Sequence, residues 1–335
     1  AEALTPRGRA AALRAGLLPP GGPEERLLGF EAARAMHGEE LQGRWEAHAA
    51  HCETQMLQNL GALLFNGRLR EQSVPAALVR SQECEALFAG PEGRALLGDL
   101  AELGVGSLCG FAAPGAVRCL HRWLEELFAA RRAFSERREL CNAGSFDLEL
   151  AFEASGPGGE LRWHAPGALE VPAEASGVLS KLAGVAAVLE AAFGLPLRLW
   201  GGLKVGVYPA GGPHYMRHLD KYDYEGLNFR TVTCLLYTNP GWPGDAAGAA
   251  EPLGGALRVY PLSPNAPVWA GKFATRFIDY PPAANRLVCF WSRTVFHEVL
   301  PSRSGAPPRF ALTLWVQSGG SWEAHGFQHP PTCLG

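Results

Sequence analysis

His218-Leu219-Asp220 sets an imidazole and a carboxylate two residues apart, shortly after the apolar run Leu203–Tyr208. On extended chain, residues two apart point the same way, so both side chains can reach one ion. Alone the triplet is weak, because His37-Gly38-Glu39 and His51-Cys52-Glu53 share its form. Those two fall in helical pattern, where positions two apart diverge by about 200° and do not easily share a metal. Solvated helix faces account for them. His297, beyond the β-type run Arg286–Trp291, offers a third ligand. Two imidazoles and one carboxylate on one face leave coordination positions open, a set that suits iron(II) and oxygen chemistry. The structural alternative for His218 and Asp220 is a satisfied polar pair at a barrel rim.

Twelve residues after His297, Arg309 opens the run Arg309-Phe310-Ala311-Leu312-Thr313-Leu314-Trp315. Period-two alternation puts Phe310, Leu312 and Leu314 on an apolar face, and Arg309, Ala311, Thr313 and Trp315 on the other. A cation, a hydroxyl and an indole facing a dry interior need a partner there. A buried dicarboxylate is such a partner, since a guanidinium can hold a carboxylate through two parallel hydrogen bonds. Tyr237, in phase with Leu235 and Thr233, can add a phenol, and Tyr208 can donate near the metal. A rim salt bridge is the structural alternative for Arg309.

These residues need elements to hold them. Beyond Leu195, short β-type runs (Leu203–Tyr208, Arg230–Thr238, Gly255–Tyr260, Arg286–Trp291, Phe310–Val316) alternate with Gly/Pro-rich loops. That pattern indicates a barrel or sandwich. Before it, residues 24–100 read as helical, Leu103–Phe111 as extended, and Val117–Phe128 and Val178–Leu189 as amphipathic helices. The fold class expected is α+β, with helices buttressing a jelly-roll. Residues 129–160, with Arg131, Arg132, Arg137 and Arg138 and a glycine-rich end, read as a long irregular segment of the kind that forms a mobile binding loop.

Composition narrows the function classes. The chain has 335 residues, 47% hydrophobic and 19% charged, with a formal net charge of −3. Nothing there favours a nucleic-acid or anionic-membrane partner, and no apolar run reads as long enough for a membrane span. The eight cysteines (Cys52, Cys84, Cys109, Cys119, Cys141, Cys234, Cys289, Cys333) include no CxxC pair, which argues against a paired-cysteine zinc module and for a reducing compartment. Cytoplasmic or nuclear residence of a monomer is the expectation; the arginines at positions 7, 9 and 14 are a faint, serine-poor transit-like pattern.

The ordered motifs resemble a known family. Tyr208-Pro209, His214 through Asp220, Arg230 through Tyr237, Gly254 through Tyr260, Leu287 through Ser292, and His297-Glu298-Val299 leading to Arg309–Trp315 look like the oxygen-sensing prolyl hydroxylases, which modify the hypoxia-inducible factor. The likeness spans about residues 100–318 and is densest from 203 onward. It implies a double-stranded β-helix with Fe(II) on His218, Asp220 and His297. It also implies 2-oxoglutarate on Arg309 and Tyr237, with Tyr208 and Thr313 nearby and Leu235, Leu257 and Trp315 lining the pocket. The implied reaction hydroxylates prolyl residues of a protein substrate with O2, yielding succinate and CO2, with ascorbate a candidate reductant. The domain layout expected is a helical extension over 1–95, a dioxygenase domain over 96–320 and a tail over 321–335. The rivals are the same chemistry on another side chain or a small molecule, and a catalytically silent jelly-roll that only binds partners.

Overall fold

The computed structural model describes residues 73–139, 141–155, 160–200, 202–221, 230–242, 253–261 and 268–318. The helical stripes read before residue 73, the two N-terminal His-x-Glu triplets and the 321–335 tail lie outside the described residues.

The chain opens with β1 (Ser73–Pro75), α1 (Gln82–Ala89), α2 (Pro91–Glu102), β2 (Val105–Cys109), α3 (Pro114–Ala129) and β3 (Ser135–Glu136). There follow β4 (Phe146–Ser155), β5 (Glu160–His164), α4 (Ala173–Phe193), β6 (Leu197–Trp200), β7 (Gly202–Tyr208), β8 (Tyr215–His218) and β9 (Arg230–Tyr237). The last strands are β10 (Leu257–Tyr260), β11 (Ile278–Tyr280), β12 (Arg286–Trp291), β13 (Phe296–Val299) and β14 (Arg309–Ser318). The major antiparallel sheet runs β2-β12-β9-β14-β7-β4-β3, with β1, β5 and β6 attached, and the minor sheet runs β11-β10-β13-β8. With the helices against the major sheet, this is the α+β class that the strand and helix pattern indicated, with the double-stranded β-helix that the resemblance implied.

Alternation decides which side of the major sheet meets the helices. Val117, Leu120, Leu124 and Leu127 of α3 are buried at spacings of three and four. Phe310 of β14 turns toward that helix, edge-on to His121 and Phe128 at 5.2 and 5.9 Å. Leu120 and Leu124 are fully covered, each contributing roughly 1.5–3 kcal/mol. The strand's opposite face is thereby left to the cleft between the sheets, where Arg309, Thr313 and Trp315 point.

Three expectations change. Residues 129–160 are not one irregular loop: Phe146–Ser155 is a ten-residue strand paired to β7 and β5. Leu148, Leu150 and Phe152 are buried, because Phe146-Asp-Leu-Glu-Leu-Ala-Phe152 alternates with period two, a signal masked by the arginines before it. Second, the core begins before residue 96. Ala76, Val79, Cys84 and Phe88 join the same cluster as the sheet, and β1 pairs with β6. Third, α4 has 21 residues and mean hydropathy 1.4 in its most apolar stretch, enough by length and composition to cross a membrane. In this fold it is a core helix, with Val178, Leu182, Val185 and Leu189 buried, and Gly194 at φ 65° ends it.

Candidate metal and co-substrate site

The minor sheet brings the two histidines together. Strands β8 and β13 pair antiparallel with His218 opposite His297, so both side chains leave the same face as cross-strand neighbours. Their rings sit 4.2 Å apart. Asp220 follows β8 directly, and its Oδ1 lies 3.6 Å from His218 Nε2 and 3.8 Å from His297 Nε2. Those gaps are under twice a metal–imidazole bond of about 2.1 Å, so one ion can touch all three atoms.

The atoms behind them are already engaged. His218 Nδ1 pairs with the Met216 carbonyl at 2.7 Å, and His297 Nδ1 with the Val295 carbonyl at 3.1 Å. Each ring therefore donates its Nδ1–H to a carbonyl and leaves the Nε2 lone pair facing Asp220. Asp220 Oδ2 accepts from Thr233 Oγ1 at 2.6 Å and from Trp315 Nε1 at 3.0 Å. Since Thr233 gives its only proton to Asp220, Ser292 Oγ, 2.8 Å away, must donate to Thr233. This backing turns Oδ1 toward the histidines.

Electrostatics agree with a ligand set. Burial pushes His297 down to about 4, with His218 adding to the shift and Asp220 opposing it. The ring is then neutral at ordinary pH, the form that binds metal. Burial alone would raise Asp220, yet its carboxyl is held well below the usual carboxylate range by the charge that His297 carries when protonated, by hydrogen bonding and charge from protonated His218, and by the Arg230 guanidinium. The donor set fits a divalent cation with open positions.

The other end of the cleft is built by β14 and its neighbours. Arg309 pairs in register with Tyr208 of β7, Ala311 with Tyr237 of β9, and Thr313 with Leu235. Arg309 is 1% exposed. Its Nε donates to the Gly255 carbonyl at 2.7 Å and its Nη2 to the Tyr237 hydroxyl at 3.1 Å, and among the described residues no carboxylate pairs with it. The Tyr208 and Tyr237 rings each lie 5.0 Å from the guanidinium. Burial holds both phenols above their ordinary pKa, with Arg309 opposing, so both stay protonated donors. A buried cation without a counter-charge is costly, and a carboxylate entering the cleft would complete it.

The structure thus gathers His218, Asp220 and His297 at one end and Arg309, Tyr237 and Tyr208 at the other, with Thr313 on the same face of β14. Leu257, 1% exposed, faces Val299 of β13. The ring of Tyr208, expected near the metal, packs beside the guanidinium. Trp315 does more than line a wall, since its indole N–H holds the Asp220 carboxylate. Thr233 was legible in phase with Leu235 and Tyr237 but carries a role not assigned from sequence. Ser292 and Arg230, whose guanidinium lies 3.9 Å over the Trp315 ring, stand within motifs that carry the resemblance, but no role for them follows from the sequence.

The family model described as the 2OG-Fe(II) oxygenase superfamily matches residues 203–317, the stretch that carries every residue just placed. Residues 203–317 are thus similar to 2OG-Fe(II) oxygenase domains. Such domains use Fe(II) and 2-oxoglutarate, which the two ends of the cleft fit in turn. Among curated relatives, Egl nine homolog 1 of Rattus norvegicus is 37% identical over 112 residues, covering 33% of this chain and 27% of that protein. Prolyl hydroxylase EGLN3 of Homo sapiens is 36% identical over 112 residues, 33% of this chain and 38% of that protein. The chain thus spans well under half the length of these relatives. A Pseudomonas putida prolyl-4-hydroxylase structure overlays with TM-score 0.48 at 25% identity, covering 68% of this chain and 98% of that one. A Trichoplax adhaerens prolyl hydroxylase, solved with a hypoxia-inducible factor peptide fragment, gives 0.47 at 20% identity over 71% and 91%.

Proposed function

We propose that this protein hydroxylates prolyl residues of a protein substrate, with Fe(II) on His218, Asp220 and His297 and 2-oxoglutarate anchored by Arg309 and Tyr237. The observation that carries the reading is the buried Arg309, with no carboxylate partner among the described residues, on the same cleft as the His–Asp–His cluster. When bound, the iron with 2-oxoglutarate and O2 supplies the oxidising power, converting the 2-oxo acid to succinate and CO2 and delivering one oxygen atom to a substrate C–H bond. The chain's own groups bind and orient. His218 and His297 offer neutral nitrogens, Asp220 is the anionic ligand, and Thr233 and Trp315 fix its direction. Arg309 and the protonated Tyr237 orient the distal carboxylate, while Leu235, Leu257 and Thr313 keep the cleft dry between them. Preorganised donors of this kind cost no reorganisation when the ligand arrives.

Support for a prolyl target comes from relatives that are named prolyl hydroxylases, among them the hypoxia-inducible factor prolyl hydroxylase of Caenorhabditis elegans, 36% identical over 110 residues. The test is mass spectrometry of proline-containing peptides after incubation of the full chain with iron(II), 2-oxoglutarate and air. The expected result is one oxygen atom gained on a proline, with one succinate formed for each. Oxygen on another side chain, or succinate formed with no proline modified in any peptide, would overturn the prolyl assignment.

A further inference from the structure

The wall behind Arg309 holds a polar atom that the site above leaves unused. Ser302 lies between β13 and β14, is 6% exposed, and its hydroxyl has no hydrogen-bond partner among the described residues. A buried hydroxyl normally has one, and leaving that bond unmade is unfavourable. The backbone around it is firmly held. Ser302 bridges Gly254, its carbonyl accepts from Gly211 N at 3.2 Å, and Gly255 N donates to the Pro301 carbonyl at 3.1 Å.

Gly255 ties this wall to Arg309. Its φ of +68° is a conformation that side chains avoid. A Cβ on it would sit 3.4 Å from Arg309 Cδ and 3.6 Å from Ser302 Cβ. The stem of Arg309 and the side chain of Ser302 therefore flank one bare glycine, whose carbonyl also accepts from Arg309 Nε. A carboxylate has about four lone-pair sites, and one two-pronged guanidinium edge with one phenol O–H fills about three of them.

We propose that Ser302 is a further co-substrate-binding residue, its hydroxyl donating to the distal carboxylate of the 2-oxo diacid beside Arg309 and Tyr237. This rests on the function proposed above. It predicts selectivity for a diacid over a 2-oxo acid of the same chain length that lacks the second carboxylate.

Anaerobic calorimetric titration of the iron-loaded full chain tests it, using 2-oxoglutarate and 2-oxopentanoate, which keeps the 2-oxo acid end but lacks the distal carboxylate. Ser302→Ala should weaken 2-oxoglutarate roughly ten- to hundredfold, the range for a hydrogen bond to a charged group, and leave 2-oxopentanoate unchanged. Without ligand, the variant's melting temperature should stay the same or rise, since an unpaired buried hydroxyl has gone. Arg309→Ala is the reference. If it binds 2-oxoglutarate like the parent, the co-substrate reading itself fails. If Arg309→Ala loses 2-oxoglutarate while Ser302→Ala binds it normally, or weakens both ligands alike, the role given to Ser302 is overturned and the co-substrate reading stands.

Discussion

The two ends of the cleft hold charge in opposite ways. At the minor-sheet end an aspartate and two imidazoles converge, each with its rear atoms already hydrogen-bonded and one lone pair facing inward. At the β14 end a guanidinium is buried against two phenols and a carbonyl, with no carboxylate beside it among the described residues. One end is completed by a cation, the other by an anion. A small acid that chelates metal at one end and carries a second carboxylate at the other satisfies both at once. The difference also separates the two failures that mutation can cause, loss of metal and loss of co-substrate.

The largest effect is expected at the metal end. Asp220→Ala removes the only anionic member of the triad and leaves two neutral imidazoles, so iron retention should collapse and turnover fall to background. His37→Ala and His51→Ala should change neither. Iron content after dialysis, measured beside succinate formation, checks this. Equal loss in either N-terminal variant would move the metal site elsewhere.

Arg309→Ala should produce the complementary defect. A carboxylate left unpaired in a dry cleft costs about 3–5 kcal/mol, which raises the 2-oxoglutarate constant by roughly two to nearly four orders of magnitude. Iron content should match the parent. Arg309→Lys keeps the charge without the planar fork, so its loss should be smaller but measurable. If Arg309→Ala lost iron as well, the two ends would not be separable and the comparison would break.

How far these ends were legible follows from where their signals lie. His218, Asp220 and Arg309 each announce themselves through strand periodicity, which assigns a side chain to a face without knowledge of the partner strand. What lies across a strand pairing is invisible to that reading. Ser292 reaches Thr233 only because β12 pairs with β9, and Tyr208 meets Arg309 only through the β7–β14 register. Strand β4 shows the opposite failure. Its alternation was present in Phe146–Phe152, but the polar, arginine-rich approach to it drew the whole segment into a loop. Ser302 sits in a Pro/Ser/Gly-rich stretch that reads as ordinary surface, and only its burial sets it apart.

A finer division of labour is expected within the metal end. Thr233→Val keeps the shape of the side chain but removes the donor to Asp220 Oδ2. Partners that orient a ligand typically contribute ten- to a hundredfold in metal affinity, so iron should be retained about that much more weakly. The 2-oxoglutarate constant, measured at saturating iron, should stay near the parent's. A shift in that constant with iron affinity unchanged would place Thr233 with the co-substrate instead.

The smallest effect concerns Tyr237. Its hydroxyl accepts from Arg309 Nη2 at 3.1 Å, which leaves its own proton to give. With burial holding the phenol protonated, that proton can go to the distal carboxylate. Tyr237→Phe removes this donor and frees one guanidinium N–H, so the loss should be on the order of 1–2 kcal/mol, about five- to thirtyfold in the 2-oxoglutarate constant. Because both groups are expected to grip the same carboxylate, the losses should not add. In an Arg309→Ala background, Tyr237→Phe should cost less than it does alone, a coupling that a double-mutant cycle reads directly. Full additivity would mean that the two side chains act independently, and Tyr237 would then belong to the support of the arginine's neighbours rather than to the carboxylate.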